Sequence, residues 1–169
     1  MNDEERARLA RFVADRTPAL MRIAYLLTGD RHEAEDLLQT ALLKTALRWG
    51  SLRHDDPEGY VRTVMYREQV GTWRRLRRRH VVREQRYVSQ VDPDPNEATD
   101  VRFAMRSALK RLSAMHRAVV VLRFYEDLTE TQVAEVLGCS VGTVRSRTNR
   151  AIVRLRQLVP DTDSLEVLR

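Results

Sequence analysis

The stretch Thr129–Leu155 reads TETQVAEVLGCSVGTVRSRTNRAIVRL and predicts two short helices that meet at Gly138. Thr129 and Gln132, three residues later, have the spacing of a capping box, which marks the start of a helix. Gly138 suits the left-handed conformation that ends a helix, and Ser140 is a good N-cap for the next one. The pattern is typical of a helix-turn-helix, whose second helix can lie in the DNA major groove.

The second predicted helix has two chemically different faces. Apolar spacing predicts a buried stripe formed by Val144, Thr148, Ala151, Ile152 and Leu155. The outward face carries Thr143, Ser146, Asn149 and Arg150, with Arg145 and Arg147 on its flanks. Arginine can bond guanine, asparagine can bond adenine, and further arginines can bond phosphates. We therefore expect these six residues to contact DNA. The alternative is a solvated hairpin with ordinary surface arginines, but the caps, the turn glycine and the basic face agree with one another.

The composition limits the class of protein and its partners. The 169 residues carry a formal net charge of +6 and a sequence pI of about 10.1, which suggests a polyanionic partner. A single cysteine excludes an internal disulfide and fits a reducing compartment. The four histidines lack metal-ligand spacing, and we expect no metal, no cofactor and no catalytic site. With no apolar run of membrane-span length and no signal peptide, the sequence predicts a cytoplasmic protein without membrane insertion.

Helical signals dominate the chain, so we predict an all-α protein of two small helical domains. The domains cover residues 1–87 and 101–159, and a tail covers 160–169. The segment between the domains, 88–100, reads VSQVDPDPNEATD and has two prolines, four acids and no base. This composition favours an extended, solvated linker.

Helix boundaries in the first domain follow from its caps and prolines. We expect a helix over residues 3–15 and a second one that begins at Pro18, with Thr17 as its cap. Asp30 caps the next helix, whose inner stripe comprises Ala34, Leu37, Leu38, Ala41, Leu42 and Thr45. Asp56 and Pro57 open a long helix that runs to about Arg86. In the second domain, one helix begins near Val101 and another covers 117–125.

A second basic region covers residues 60–87, where nine arginines stand against two acids. Its run RRLRRR, residues 74–79, cannot be deeply buried because consecutive arginines cover every side of a helix. Contact with a DNA backbone is favoured over a merely solubilising surface. Tyr66 and Trp73 lie seven residues apart, on one helix face. They suit stacking on unpaired bases, but the core of an amphipathic helix is an equal alternative.

Together these pieces resemble an extracytoplasmic-function sigma factor, from the smallest branch of the bacterial sigma-70 family. The resemblance covers roughly residues 7–158. Its most specific parts are DLLQTALLKTALRW at 36–49, the arginine run, and the sequence from Leu109 to Arg156. It looks most like the SigE-like branch, common in actinobacteria. The resemblance implies a monomer that binds core RNA polymerase and promoter DNA and helps to melt the duplex, without making or breaking a bond. Many relatives also have an anti-sigma factor.

The resemblance also implies a role for each basic or polar surface. The helix with Glu35, Asp36, Leu37 and Gln39 would bind the clamp coiled coil of the largest polymerase subunit. The −35 element would be read by the six residues of the helix-turn-helix given above. The −10 element and a flipped base of the melted non-template strand would be held by Tyr66, Arg67, Gln69, Trp73, Arg74, Arg75, Arg77 and Arg78. Arg67 and Gly71 stand where many members have Asn and Asp.

Two other functions fit parts of the sequence. A helix-turn-helix repressor or activator would bind duplex DNA without polymerase, but it usually has a dimerisation or ligand-sensing domain. The remaining domain here is instead basic and aromatic. A nuclease would need a cluster of Asp, Glu and His, and the sequence shows none.

Overall fold

The computed structural model describes residues 2–52, 56–78 and 100–159, and all regular structure within them is helical. The chain divides into two compact units, Met1–Thr72 and Trp73–Arg169. The helices are α1 (Asp3–Thr28), α2 (Arg31–Arg48), α3 (Pro57–Arg78), α4 (Asp100–Lys110), α5 (Ala114–Val120), α6 (Glu130–Leu137) and α7 (Val141–Leu158). A 3-10 turn (Trp49–Leu52) follows α2, and a π turn (Val121–Tyr125) follows α5. The all-α prediction is confirmed. The predicted linker up to residue 99 and the tail at 160–169 lie outside the described residues.

The predicted break before Pro18 is wrong, because α1 runs unbroken from Asp3 to Thr28. Proline lacks the N–H that would bond to the carbonyl four residues earlier, and it normally kinks or ends a helix. Here Thr17 is not a cap, since its hydroxyl donates to the carbonyl of Val13 at 2.6 Å inside the helix. Pro18 itself is exposed, and the apolar residues Leu20, Ile23, Ala24, Leu26 and Leu27 after it lie in the core. Packing of that apolar half keeps the helix continuous.

The core of the first unit is formed by residues from three helices. Fully buried side chains come from α1 (Leu20, Ile23, Leu27), α2 (Ala34, Leu38, Ala41) and α3 (Val61, Met65). Gly29 ends α1 with φ 78°, and Asp30 then caps α2 by accepting from the N–H of Glu33 at 3.0 Å. The predicted stripe of α2 is buried except for Leu42, which is half-buried.

The second unit is built on α7, against which α5 and α6 pack. The helix predicted to start at Arg117 begins earlier, at Ala114, because Ser113 caps it by accepting from the N–H of His116 at 3.4 Å. It ends in the π turn, where the N–H of Glu126 donates to Val121 five residues back at 3.0 Å. The core contains Val119, Val120, Leu122, Val133, Leu137 and Val144.

None of the helices in the described ranges is both long enough and apolar enough to span a bilayer.

Candidate nucleic-acid interface

The turn between α6 and α7 has the caps that the sequence predicts. The Thr129 hydroxyl accepts from the N–H of Gln132 at 3.2 Å, and the Gln132 side-chain oxygen accepts from the N–H of Thr129 at 2.8 Å. Gly138 is left-handed, with φ 58°. Ser140 accepts from the N–H of Thr143 at 3.2 Å and so caps α7. These bonds satisfy N–H groups that each helix start leaves without a partner in the helix, and they fix the entry of both helices.

Packing of α7 determines which of its residues remain at the surface. Val144, Ala151 and Leu155 are buried, whereas Thr148 and Ile152 of the predicted stripe are half-buried. Ala134 of α6 is also buried. On the opposite face, Arg145, Ser146, Asn149 and Arg150 are exposed, and Thr143 and Arg147 are half-buried. The structure therefore places all six predicted DNA contacts on one helix, with four of them fully at the surface.

Three of these six side chains are bonded to neighbouring residues. The Nε of Arg145 donates to Oε2 of Glu130, in the first turn of α6, at 2.7 Å. The hydroxyl of Thr143 lies 2.9 Å from that of Ser140. The Nη1 of Arg147 lies 3.8 Å from Sγ of Cys139 in the turn. Contacts within the helix-turn-helix thus restrain the first half of the exposed face.

His116 of α5 is a neighbour of this face that was not among the predicted site residues. Burial lowers its pKa below the usual 6.5, and the positive charges of Arg147 and Arg150 lower the pKa further. The two arginines therefore create a local positive potential that disfavours the protonated form of His116. The same positive potential attracts DNA phosphates. No short-range sequence signal links His116 to α7, because only the packing of α5 on α7 brings them together.

The predicted −10 residues on α3 separate into surface and core. Arg67 and Arg75 are exposed and Trp73 is half-buried, but Tyr66 and Gln69 are buried, with exposures of 4% and 8%. The side chains of Arg74, Arg77 and Arg78 lie outside the described part of the chain.

Tyr66 and Gln69 lie in the core of the first unit, and their contact with DNA bases stays a prediction. Two ion pairs join α3 to the other helices of the first unit. Glu58 pairs with Arg16 of α1 at 3.3 Å, and Glu68 pairs with Lys44 of α2. The buried arc of α3 is therefore wider than a single stripe. The burial of Tyr66 fits the alternative that its ring belongs to the core of an amphipathic helix.

The polar face of α2 is exposed at Glu35, Asp36 and Gln39, whereas Leu37 is only 7% exposed. Leu37 therefore lies in the core as part of the inner stripe, and its contact with polymerase stays a prediction.

Two leucines of α2 that were not among the predicted site residues are exposed instead. Leu43 is 62% exposed and Leu47 is 81% exposed. At 3.6 residues per turn, positions 43 and 47 fall on the same side of α2 as Asp36. The outer face of α2 is therefore polar at its start and apolar towards its end.

Models of two families match different parts of the chain. The model described as Sigma-70 region 2 matches residues 12–79, and the one described as Sigma-70, region 4 matches residues 108–157.

Curated relatives match over most of their length. The RNA polymerase sigma-E factor of Streptomyces avermitilis is 37% identical over 153 residues, covering 90% of this chain and 85% of the relative. The ECF RNA polymerase sigma factor SigL of Mycobacterium tuberculosis is 33% identical over 162 residues, covering 89% and 88%.

Solved structures of similar fold include the sigma factor RpoE of Bartonella quintana, in complex with the anti-sigma factor NepR. It has a TM-score of 0.68 and 26% identity, and the match covers 92% of this chain and 98% of that one. CnrH, in complex with the cytosolic domain of CnrY, has a TM-score of 0.54 and 26% identity, with coverage of 94% and 91%. The chain therefore belongs to the sigma-70 family, as an extracytoplasmic-function RNA polymerase sigma factor of the SigE-like branch.

Proposed function

We propose that the exposed face of α7 anchors core RNA polymerase at the −35 element of a promoter. The observation that carries this proposal is the capped helix-turn-helix with Arg145, Ser146, Asn149 and Arg150 on its outer face. Arg150 and Asn149 have the side chains that bond guanine and adenine edges in the major groove. Arg147, half-buried beside the turn, is suited to a phosphate.

In this proposal the second half of α3 binds the −10 element and the melted non-template strand. Arg67 and Arg75 are exposed and can contact phosphates, and half-buried Trp73 offers a ring on which an unpaired base can stack. Arg74, Arg77 and Arg78 continue the basic sequence of the same helix. Tyr66 and Gln69 are buried and support this surface from the core. Capture of unpaired bases offsets the lost stacking of the duplex.

The outer face of α2 binds the polymerase clamp coiled coil. Glu35, Asp36 and Gln39 provide polar contacts, and Leu43 and Leu47 extend the face with apolar surface that is exposed in the free chain. Singly exposed leucines are common on protein surfaces, but two on the same side of one helix form a continuous apolar strip. Docking would remove that strip from water.

The same surfaces make the chain a target for an anti-sigma factor. Two similar structures are complexes of this kind, RpoE with NepR and CnrH with the cytosolic domain of CnrY. We expect a protein of that class to compete with core polymerase for this chain.

Reconstitution tests the whole proposal. The purified chain is mixed with core RNA polymerase, passed over a sizing column and assayed for run-off transcription on a promoter library. We expect co-elution and transcription that depends on both promoter elements. Binding of the chain to duplex DNA with no polymerase association would instead favour a conventional repressor or activator.

Replacement of Trp73 tests the melting step separately. Trp73→Ala should reduce the permanganate reactivity of unpaired thymines at the −10 element more than it reduces the initial binding of holoenzyme to promoter. The expected loss is about 1–3 kcal/mol, the contribution of one stacked base. Equal losses in the two measurements would indicate that Trp73 supports the fold and does not stack on a base.

A further inference from the structure

The ion pair between Glu130 and Arg145 joins the two helices of the helix-turn-helix at its exposed face. The Nε of Arg145 and Oε2 of Glu130 are 2.7 Å apart, and the two residues lie 15 positions apart in the sequence. The side chain of Glu130 is 33% exposed and that of Arg145 is 67% exposed. The carboxylate is thus the more enclosed partner, and the arginine reaches outward from it.

Several local features hold Glu130 in place. It is the first residue of α6, directly after the N-cap Thr129, and the capping box fixes the backbone on both sides of it. A carboxylate in the first turn also interacts favourably with the helix dipole. Arg145, in contrast, carries a long side chain with many rotamers, which a single restraint can align. Glu130 therefore acts as the fixed end of the pair.

The bond uses only one edge of the guanidinium. Arginine has five N–H donors in a rigid fork, and the bond through Nε leaves the four donors of the two terminal nitrogens. Two donors are enough to bond N7 and O6 of guanine in the major groove. The exposed ion pair itself contributes little to the stability of the fold. Its effect is on the orientation of the arginine.

We propose that Glu130 is a positioning residue that fixes the terminal nitrogens of Arg145 towards one base of the −35 element, and so determines specificity at that base. The proposal rests on the proposed function of α7 in −35 recognition. Without Glu130, the guanidinium could turn to a phosphate, which carries no sequence information. Glu130 also adds a negative charge close to the DNA, so its loss should maintain or strengthen contact with non-cognate sequences while weakening discrimination.

The test uses holoenzyme assembled from the full chain and core polymerase, with promoter duplexes in which the −35 region is randomised. For the wild type, Glu130→Ala, Glu130→Gln and Arg145→Ala, sequencing of bound duplexes gives the preference at each base. We expect Glu130→Ala to lower the preference at one base about two- to tenfold, the range for the loss of one pre-ordered long side chain. Overall affinity for non-cognate duplex should stay equal or rise. Glu130→Gln keeps an acceptor for Nε and should retain most of the preference.

Two comparisons separate positioning from charge and from misfolding. Glu135→Ala removes the same charge from an exposed position on α6 and should leave every base preference unchanged. In the Arg145→Ala background, Glu130→Ala should have no further effect on the preference, as expected for two residues that act as a unit. An unchanged preference in Glu130→Ala, or equal weakening of cognate and non-cognate binding, would overturn the proposal. Wild-type holoenzyme with no −35 preference at all would instead contradict the proposed function.

Discussion

Thr129 and Gln132 bond reciprocally at the start of α6, each side chain to the backbone N–H of the other, at 3.2 and 2.8 Å. Thr129 lies directly before Glu130 and Gln132 lies two residues after it, so the pair fixes the part of α6 that faces the exposed residues of α7. The same two residues are the earliest sign of this motif in the sequence.

Removal of this cap should destabilise the second unit. Thr129→Ala leaves the backbone N–H of Gln132 without its side-chain acceptor, and the expected loss in free energy of unfolding is about 1 kcal/mol. Urea unfolding followed by circular dichroism measures it. Thr131→Ala, an exposed threonine two residues further along α6, is the matched control and should change stability much less. Equal losses in the two variants would contradict a specific role of the cap.

Replacement of Arg150 should weaken use of the promoter. Arg150 is exposed on the outer face of α7, and loss of a good bidentate contact to a base costs about 1–3 kcal/mol. Run-off transcription with the Arg150→Ala holoenzyme should fall on promoters with the preferred −35 element. Arg154→Ala removes the same charge from α7, at a residue that bonds Gln157 at 3.0 Å, and should have a smaller effect. If Arg150→Ala is as active as the wild type, Arg150 is not a −35 contact.

Replacement of Leu47 should weaken association with polymerase without affecting folding. Its side chain is 81% exposed, so Leu47→Ser removes little from the core of the free chain. Full burial of a leucine side chain in a complex contributes about 1.5–3 kcal/mol, which sets the upper limit of the loss. Titration of labelled core polymerase with the variant measures the affinity. Val153→Ser alters an apolar side chain that is 56% exposed on α7 and provides the control. Equal affinities of wild type and Leu47→Ser for core polymerase would show that the apolar strip does not contribute to docking.

The stability of the second unit should depend on pH through His116. The pKa of His116 is lowered in the fold by burial and by Arg147 and Arg150, whereas in the unfolded chain it is near 6.5. The unfolded chain therefore binds this proton more readily than the folded chain does. The contribution of His116 to stability is complete above about pH 6.5 and is lost as the pH falls through the folded pKa.

Urea unfolding of wild type and His116→Gln at a series of pH values measures this dependence. The glutamine side chain of the variant does not titrate in this range. Its free energy of unfolding should therefore fall less between about pH 7.5 and 5 than that of the wild type. Phosphates bound at Arg147 and Arg150 would offset their charge, so the difference should shrink when promoter duplex is present. Identical pH profiles for the two proteins would show that folding does not change the pKa of His116, and would contradict the lowered pKa.

Local signals in the sequence determined the elements of this protein, because caps, turn residues and helical spacing act over a few neighbouring positions. Thr129, Gln132, Gly138 and Ser140 placed the helix-turn-helix, and the apolar stripes predicted the inner faces of α2 and α7. The six outward residues of α7 followed from the same spacing. The local signal at Thr17 and Pro18 predicted a new helix start, which is wrong because burial of the following turns keeps α1 continuous.

Only the tertiary structure decided which candidate side chains are exposed. Tyr66, Gln69 and Leu37 are buried and Leu43 and Leu47 are exposed, because the width of a buried arc depends on how many helices pack around it. The ion pair Glu130–Arg145 and the proximity of His116 to Arg147 and Arg150 likewise require different helices to pack together. The sequence therefore determined the motif and the family, and the packing between helices determined which residues are available to bind.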